Sequence, residues 1–245
     1  MSVRIIVYGA LGHMGRLVTE AVEKDPDLTL AARVDRSGLD GTFPSIHDFP
    51  GEADCVIDFS HHDGTRLLLD DCVSRKLPLV LCTTGQTPEE LDLIQQASGQ
   101  IPLFQSANMS VGVALVARLV EEAASKFRGS DIEVLEIHHN RKLDAPSGTA
   151  LMLAEAAKKA RPGAEILTGR SGHHKREPQE IGVASLRMGN IVGTHEVFLG
   201  TNTQTITIKH EALDRALFAD GAVDAAKFLV NKPAGRYDMN DLLSE

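Results

Sequence analysis

Tryptophan is absent, and aromatic residues make up only 4% of the 245-residue chain. Base-stacking platforms for single-stranded nucleic acid need more such rings than this. Positive charge is also short: 25 Lys and Arg stand against 34 Asp and Glu, giving a formal net charge of -9. Without a basic footprint no nucleic-acid partner is expected, although a few focused cations can still hold a small anion. Cysteine is limited to Cys55, Cys72 and Cys82. That odd set has no CxxC spacing, so neither a disulfide framework nor a thiolate metal site is expected. No run of 18 apolar residues occurs, so no membrane span is expected. The opening MSVRIIVYGALGHMG lacks a secretory layout. These absences lead to an expectation of a cytoplasmic chain with reduced, packed thiols.

What is present is punctuated hydrophobicity. Short apolar runs at Val3–Tyr8, Leu30–Val34, Cys55–Phe59, Leu79–Cys82 and Ile101–Gln105 alternate with helical spacing over Met14–Val22, Gly64–Val73 and Pro88–Ala97. Strands alternating with helices predict βαβ units and a parallel sheet covered on both faces. A long helical stretch, Ser110–Lys126, follows, and after it the character changes. Ile132–Ile137, Ile181–Arg187, Gly193–Leu199 and Thr203–His210 read as strands, Thr149–Ala160 and Leu213–Leu229 as helices, Arg161–Pro178 as loop, and Asn231–Glu245 as a tail. The predicted fold class is α/β: a Rossmann-like dinucleotide-binding domain with a second α+β domain. The expected division is 1–109 plus 216–245 for the first domain and 110–215 for the second, which would bind substrate and form oligomer contacts.

Two constellations carry chemistry. The first is Gly9-Ala10-Leu11-Gly12-His13-Met14-Gly15, lying between the first strand and the first helix. Glycines there let the backbone turn tightly and approach a pyrophosphate at a helix N-terminus. The spacing is GxxGxxG rather than the strict GxGxxG. Asp35, at the end of the second strand, is placed to accept from an adenosine ribose, and Arg36 could face a 2′-phosphate instead. The expected cofactor is therefore NADH or NADPH. The segments after the third, fourth and fifth strands, Asp58-Phe59-Ser60, Cys82-Thr83-Thr84 and Ser106-Ala107-Asn108-Met109, lie where open α/β sheets bind ligands.

The second constellation runs from Glu136 to Ala150, EIHHNRKLDAPSGTA. His138, His139, Arg141 and Lys142 crowd the end of a strand and offer protons and positive charge to an anionic substrate. Ser147-Gly148-Thr149 precedes a strong helix former, so Ser147 or Thr149 could cap that helix while its N–H groups hold a carboxylate. The chain has ten histidines. Adjacent histidines on a strand point to opposite faces, and there is no HExxH or cysteine partner, so no metal is expected.

The stretch Glu136–Ala150 resembles the signature of the dihydrodipicolinate reductase family: two histidines, a lysine, then Asp-Ala-Pro-Ser-Gly-Thr. Gly9–Gly15, Asp58-Phe59-Ser60, Thr83-Thr84-Gly85, Ser106–Val113 and Arg215 ahead of Phe218–Ala222 are similar to family segments in family order. The resemblance spans essentially the whole chain. It implies His138 as acid or base and Lys142 as proton donor. It also implies His139, Ser147, Gly148, Thr149 and Arg215 around a small dicarboxylate substrate. Cofactor contacts would come from Gly9–Gly15, Asp35, Arg36, Cys82–Thr84 and Ser106–Met109, and the assembly would be a homotetramer. The family often has Gly where Cys82 stands, and the Thr168–Gln179 loop is individual. At this point a related dehydrogenase for another imino acid, or a nucleotide-sensing regulator, remains an open alternative; neither requires the His-His-Lys and Asp-Ala-Pro-Ser-Gly-Thr elements.

Overall fold

The structure, a computed structural model, describes residues 2–245. The chain divides into two compact units. One runs to Ser110 and resumes over Ala216–Glu245; the other is Val111–Arg215.

The first unit is built on β1 (Val3–Tyr8), β2 (Leu28–Val34), β3 (Cys55–Asp58), β4 (Leu79–Leu81), β5 (Pro102–Gln105) and a late strand, β11 (Gly235–Tyr237). Their spatial order is β11-β5-β4-β3-β1-β2, and every pairing is parallel. The central strands are apolar at consecutive positions because both faces are covered: Ile5, Ile6 and Val7 are all fully buried. Helices α1 (His13–Lys24), α2 (Thr65–Arg75), α3 (Pro88–Ser98) and α6 (Ala216–Leu229) supply the cover. Helix α3 begins with a reciprocal capping box between Thr87 and Glu90 and carries Pro88 in its first turn. Helix α6 packs on α1, β3, β4 and β5. Sheet order reverses direction between β1 and β3, so the ends of those two strands flank a crevice.

The second unit holds α4 (Val111–Lys126), β6 (Asp131–His138), α5 (Gly148–Lys159), β7 (Glu165–Thr168), β8 (Glu180–Arg187), β9 (Gly193–Gly200) and β10 (Thr205–Ala212). The sheet order is β10-β9-β6-β8-β7. Strand β6 runs parallel to β8 and antiparallel to β9. Burial in β6 alternates strictly, with Ile132, Val134, Glu136 and His138 on the buried face. Ile132 and Val134 pack with Val120, Ala124, Leu153 and Ala157 of α4 and α5. On the other face Leu186 is 46% exposed.

Three readings of the sequence need correction. The stretch Arg161–Pro178 is not all loop, since Glu165–Thr168 adds edge strand β7 beside β8. Its residues are half-buried or exposed, so no apolar alternation marks it. The helix expected from Leu213 starts at Ala216, because β10 continues to Ala212 opposite Gly193. The tail after Asn231 contains β11 and a short helix, α7 (Met239–Leu242).

Candidate active site

In the first unit the glycines of the β1–α1 turn are needed for reasons that can be measured. Gly9 has φ +77°, and a Cβ there would lie 2.6 Å from the Phe59 carbonyl oxygen. At Gly15 a Cβ would fall 2.1 Å from the Gly9 oxygen, so only glycine lets α1 close on the turn. Gly12 is the N-cap of α1 and has no side chain to cap it, which leaves the helix start open to an external anion. The Asp35 carboxylate accepts from the Leu11 N–H at 3.4 Å and from Ser37 N and Oγ at 3.1 and 2.8 Å. Burial alone would raise its pKa, but the Ser37 and Leu11 hydrogen bonds outweigh that and hold it below the ordinary carboxylate value. Asp35 and Arg36 line one cleft of about 230 Å³ with Gly9, Gly12, Phe59 and Ser60. The donors, the acceptor and the open helix start suit a dinucleotide.

Of the other residues proposed for the cofactor, Ala10, Cys82, Thr83 and Met109 are buried, whereas His13, Thr84 and Ala107 are exposed. Burial pushes the Cys82 thiol well up, so it stays protonated as a packing group. Thr83 Oγ1 accepts from Ser60 N at 3.0 Å and ties the β3 end to the β4 end. Ser106 and Asn108 form a tight turn: Ser106 Oγ donates to the Asn108 carbonyl at 2.7 Å, and Asn108 Oδ1 accepts from Ser110 N at 2.8 Å.

In the second unit the site is organised by a carboxylate that sequence reading assigned no role. Glu136 is completely buried. Its two oxygens receive the Arg187 guanidinium at 2.9 and 2.7 Å, and one also accepts from Ser147 N at 3.1 Å. The other is hydrogen-bonded to His138 Nδ1. Burial would raise the Glu136 pKa, but hydrogen bonds led by Arg187 dominate and bring it down to about 2. Glu136 is therefore ionised, and His138 Nδ1–H must donate to it, which turns Nε2 outward as the working nitrogen. Gly193 stands beside that nitrogen, where a Cβ would approach Nε2 to 3.0 Å.

Strand register explains the cluster. Across β6, Glu136 pairs with His195 on one side, and His138 pairs with Arg187 on the other. The His195 ring meets that of His138 edge-on at 5.1 Å. Ser147 Oγ caps α5 by accepting from Ala150 N at 3.2 Å, so its hydroxyl proton is free to point at His195 Nε2, 3.2 Å away. Burial, then the neighbouring His138, hold His195 down to about 4, as a neutral ring. Glu136, His138 and His195 place ligand atoms within 4.8 Å of one another, a spacing that could take a metal. The Arg187 guanidinium already occupies both Glu136 oxygens, and its charge disfavours a second cation there.

Around this core lies a cationic rim. Lys142 Nζ pairs with Asp144 at 2.8 Å, and Lys142 N donates to the His139 carbonyl at 3.2 Å. Arg215 Nη2 lies 3.4 Å from His139 Nε2. Partial burial, then Arg141 and Arg215, keep His139 below its ordinary pKa. A Cβ on Gly148 would meet nothing within 4 Å, so the mouth of α5 is clear. The structure thus gathers His138, His139, Lys142, Ser147 and Arg215 within one unit. The residues that sequence reading missed are Arg187, His195 and the role of Glu136. The signal was period-two alternation, which places Glu136 on the buried face, where an unpaired charge is prohibitively costly.

Known proteins resemble the chain along its length. Residues 3–109 match the family described as dihydrodipicolinate reductase, N-terminus, and residues 112–243 match dihydrodipicolinate reductase, C-terminus. The 4-hydroxy-tetrahydrodipicolinate reductase of Clostridium tetani is 43% identical, with 100% of this chain and 98% of the relative covered. That of Caldanaerobacter subterraneus subsp. tengcongensis is 42% identical, with both chains covered in full. Among solved structures, dipicolinate-bound dihydrodipicolinate reductase from Paenisporosarcina sp. TG-14 superposes with a TM-score of 0.76. It has 23% identity, over 98% of this chain and 99% of that one. A probable dehydrogenase from Thermotoga maritima, at 12% identity and TM-score 0.63, has the same fold over 98% of this chain and 92% of its own.

Proposed function

The chain belongs to the dihydrodipicolinate reductase family, and from that premise we propose that it reduces 4-hydroxy-tetrahydrodipicolinate to tetrahydrodipicolinate with loss of water, on the diaminopimelate route to lysine. It is an oxidoreductase that uses a nicotinamide cofactor. In the finer reading, NADH and NADPH both serve. Gly12 and the start of α1 take the pyrophosphate, with the rest of Gly9–Gly15 shaping the approach. Asp35 accepts from ribose hydroxyls, and Arg36 meets a 2′-phosphate. Cys82–Thr84 and Ser106–Met109 border the nicotinamide half. When bound, the reduced nicotinamide supplies a hydride.

The second unit handles the dicarboxylate. His139, Gly148, Thr149 and Arg215 hold its carboxylates, and Ser147 keeps the α5 N-terminus formed and aimed. Hydride addition to a conjugated ring carbon leaves negative charge that must be neutralised. Lys142 supplies a proton and a positive field, and His138 exchanges protons through the nitrogen that Glu136 leaves free. One hydride and one proton enter, and the 4-hydroxyl leaves as water. The observation that carries this reading is the ionised, buried Glu136 bonded to His138 at the edge of a cationic rim. The exposed side of the β6–β10 sheet would join copies into a homotetramer working in the cytoplasm. Among the described residues no helix is long and apolar enough to cross a membrane. The test is a coupled assay that generates the unstable imine in situ, run with NADH and with NADPH. Oxidation of neither cofactor above the substrate-free rate would refute the reading.

A further inference from the structure

Strands β6 and β8 begin together at the end of the second unit opposite His138, and a separate cavity of about 420 Å³ opens there. Ile132 and His138 lie on one strand, six residues or roughly 20 Å apart. Ile132, Ala164 and Ile181, all buried, give its lining an apolar floor beneath the exposed residues. Two guanidinium-bearing residues, Arg128 and Arg161, stand on its wall.

Their partners are all uncharged. Arg161 Nε donates to the Ala124 carbonyl at 2.7 Å, and Nη2 donates to the Phe127 carbonyl at 2.6 Å and to Ser130 Oγ at 3.0 Å. Those bonds close the C-terminal end of α4 and leave Nη1 uncommitted. Arg128 makes one long bond, from Nε to the Ser125 carbonyl at 3.4 Å. The carboxylate on the same wall, Glu180, is already taken by Arg170 at 2.7 Å. Burial and then the charge of Arg128 lower the pKa of Arg161, so the two cations repel each other with no anion between them. Convergent donors over an apolar floor, at a volume within the roughly 300–1,000 Å³ of small-molecule sites, are the features of a ligand pocket.

We propose that this cavity is a second binding site, for a small aliphatic carboxylate. The Nη1/Nη2 edge of Arg128 receives the carboxylate as a fork, Arg161 Nη1 adds a further donor, and Ile132 and Ile181 receive its hydrocarbon. A planar carboxylate matches the parallel donors of a guanidinium, and a bare inorganic ion would leave the apolar floor uncovered. The inference stands apart from the reductase reading, since none of these residues belongs to the His138 site.

The experiment is calorimetric titration of 4-methylvalerate at constant ionic strength into the wild-type protein, Arg128→Ala and Lys142→Ala, with inorganic phosphate as a second probe. The branched monocarboxylate should bind wild type and Lys142→Ala alike, and at least ten-fold more weakly to Arg128→Ala. Phosphate should bind more weakly than the carboxylate. Arg128 is exposed, so its variant should melt with wild type and keep kcat/KM within twofold. No binding to wild type, equal binding to Arg128→Ala, or loss in Lys142→Ala would overturn the site. Phosphate binding as tight as the carboxylate would overturn its assigned ligand class.

Discussion

Glu136 and His138 stand two residues apart on the buried face of one strand, and the carboxylate of the first is hydrogen-bonded to Nδ1 of the second. The bond sets the tautomer of His138 and ties the proton exchange proposed for that ring to folding. Glu136→Gln keeps the shape and removes the charge, so one of the two accepting oxygens becomes a donor, His138 and Arg187 must compete for the other, and Arg187 loses its counter-ion. Breaking a buried pair on one side costs about 3–5 kcal/mol. The variant should melt well below wild type, and kcat should fall at least ten-fold at temperatures where it is folded, with NADH affinity unchanged. Thermal melts, kinetics and direct NADH titration separate the effects. Wild-type kcat in the folded variant would show that the pair is only structural.

Acid should unfold the second unit in two linked ranges. Glu136 is depressed to about 2 from 4.5, so its contribution is present above pH 4.5 and is lost as pH falls toward 2. His195 is depressed to about 4 from 6.5, which favours the neutral ring in the folded state. Its contribution is complete above pH 6.5 and is lost as pH falls from 6.5 to 4. Each difference corresponds to roughly 3 kcal/mol at most. His195→Gln should therefore flatten the decline of stability between pH 6.5 and 4. Denaturant unfolding at a series of pH values measures this, and parallel curves for the two proteins would contradict it.

Lys142 is expected to act on the transition state. General acid catalysis is typically worth ~10²–10⁴-fold, so Lys142→Ala should lower kcat by roughly 100-fold or more, with melting temperature and NADH affinity near wild type. His138→Gln should be milder. A kcat within threefold of wild type would remove Lys142 from the role, and a change confined to KM would make it a ground-state binding residue.

Cofactor preference should depend on Arg36, which lines the same cleft as Asp35. Arg36→Ala is expected to weaken NADPH much more than NADH, because only the former carries a 2′-phosphate. Fluorescence titration with both cofactors decides the matter, and equal losses would place Arg36 away from that position.

The half-covered face of the second sheet should bury itself between copies of the chain. Light scattering at micromolar concentration should return about four times the 26.4 kDa chain mass. A monomer mass would defeat the proposal.

The alternation of strands and helices up to Gln105, the glycine turn and the Asp35 that shares its cleft could be read from sequence because each is local: a run, a spacing, a residue at a strand end. The histidine and lysine cluster was equally visible, as a dense polar stretch before a helix start. Arg187 and His195 were hidden because they reach Glu136 through strand register, 51 and 59 positions along the chain. Strand β7 and strand β11 were missed for a different reason. At four and three residues, with few buried side chains, they are held by backbone pairing to a neighbour rather than by an apolar pattern.

Helix α6 and strand β11 complete the first unit from the far end of the chain, against α1 and β5. During synthesis the two units therefore mature in the reverse of their order of appearance. Val111–Arg215 is continuous and can close its own core once it emerges. The earlier residues wait with Phe104 lacking its edge-on partner until Phe228 has left the ribosome. Domains generally fold as units, and exposed apolar surface invites aggregation. The nascent chain thus carries an unfinished parallel sheet, with its β5 edge open, from the synthesis of Gln105 to that of Gly235.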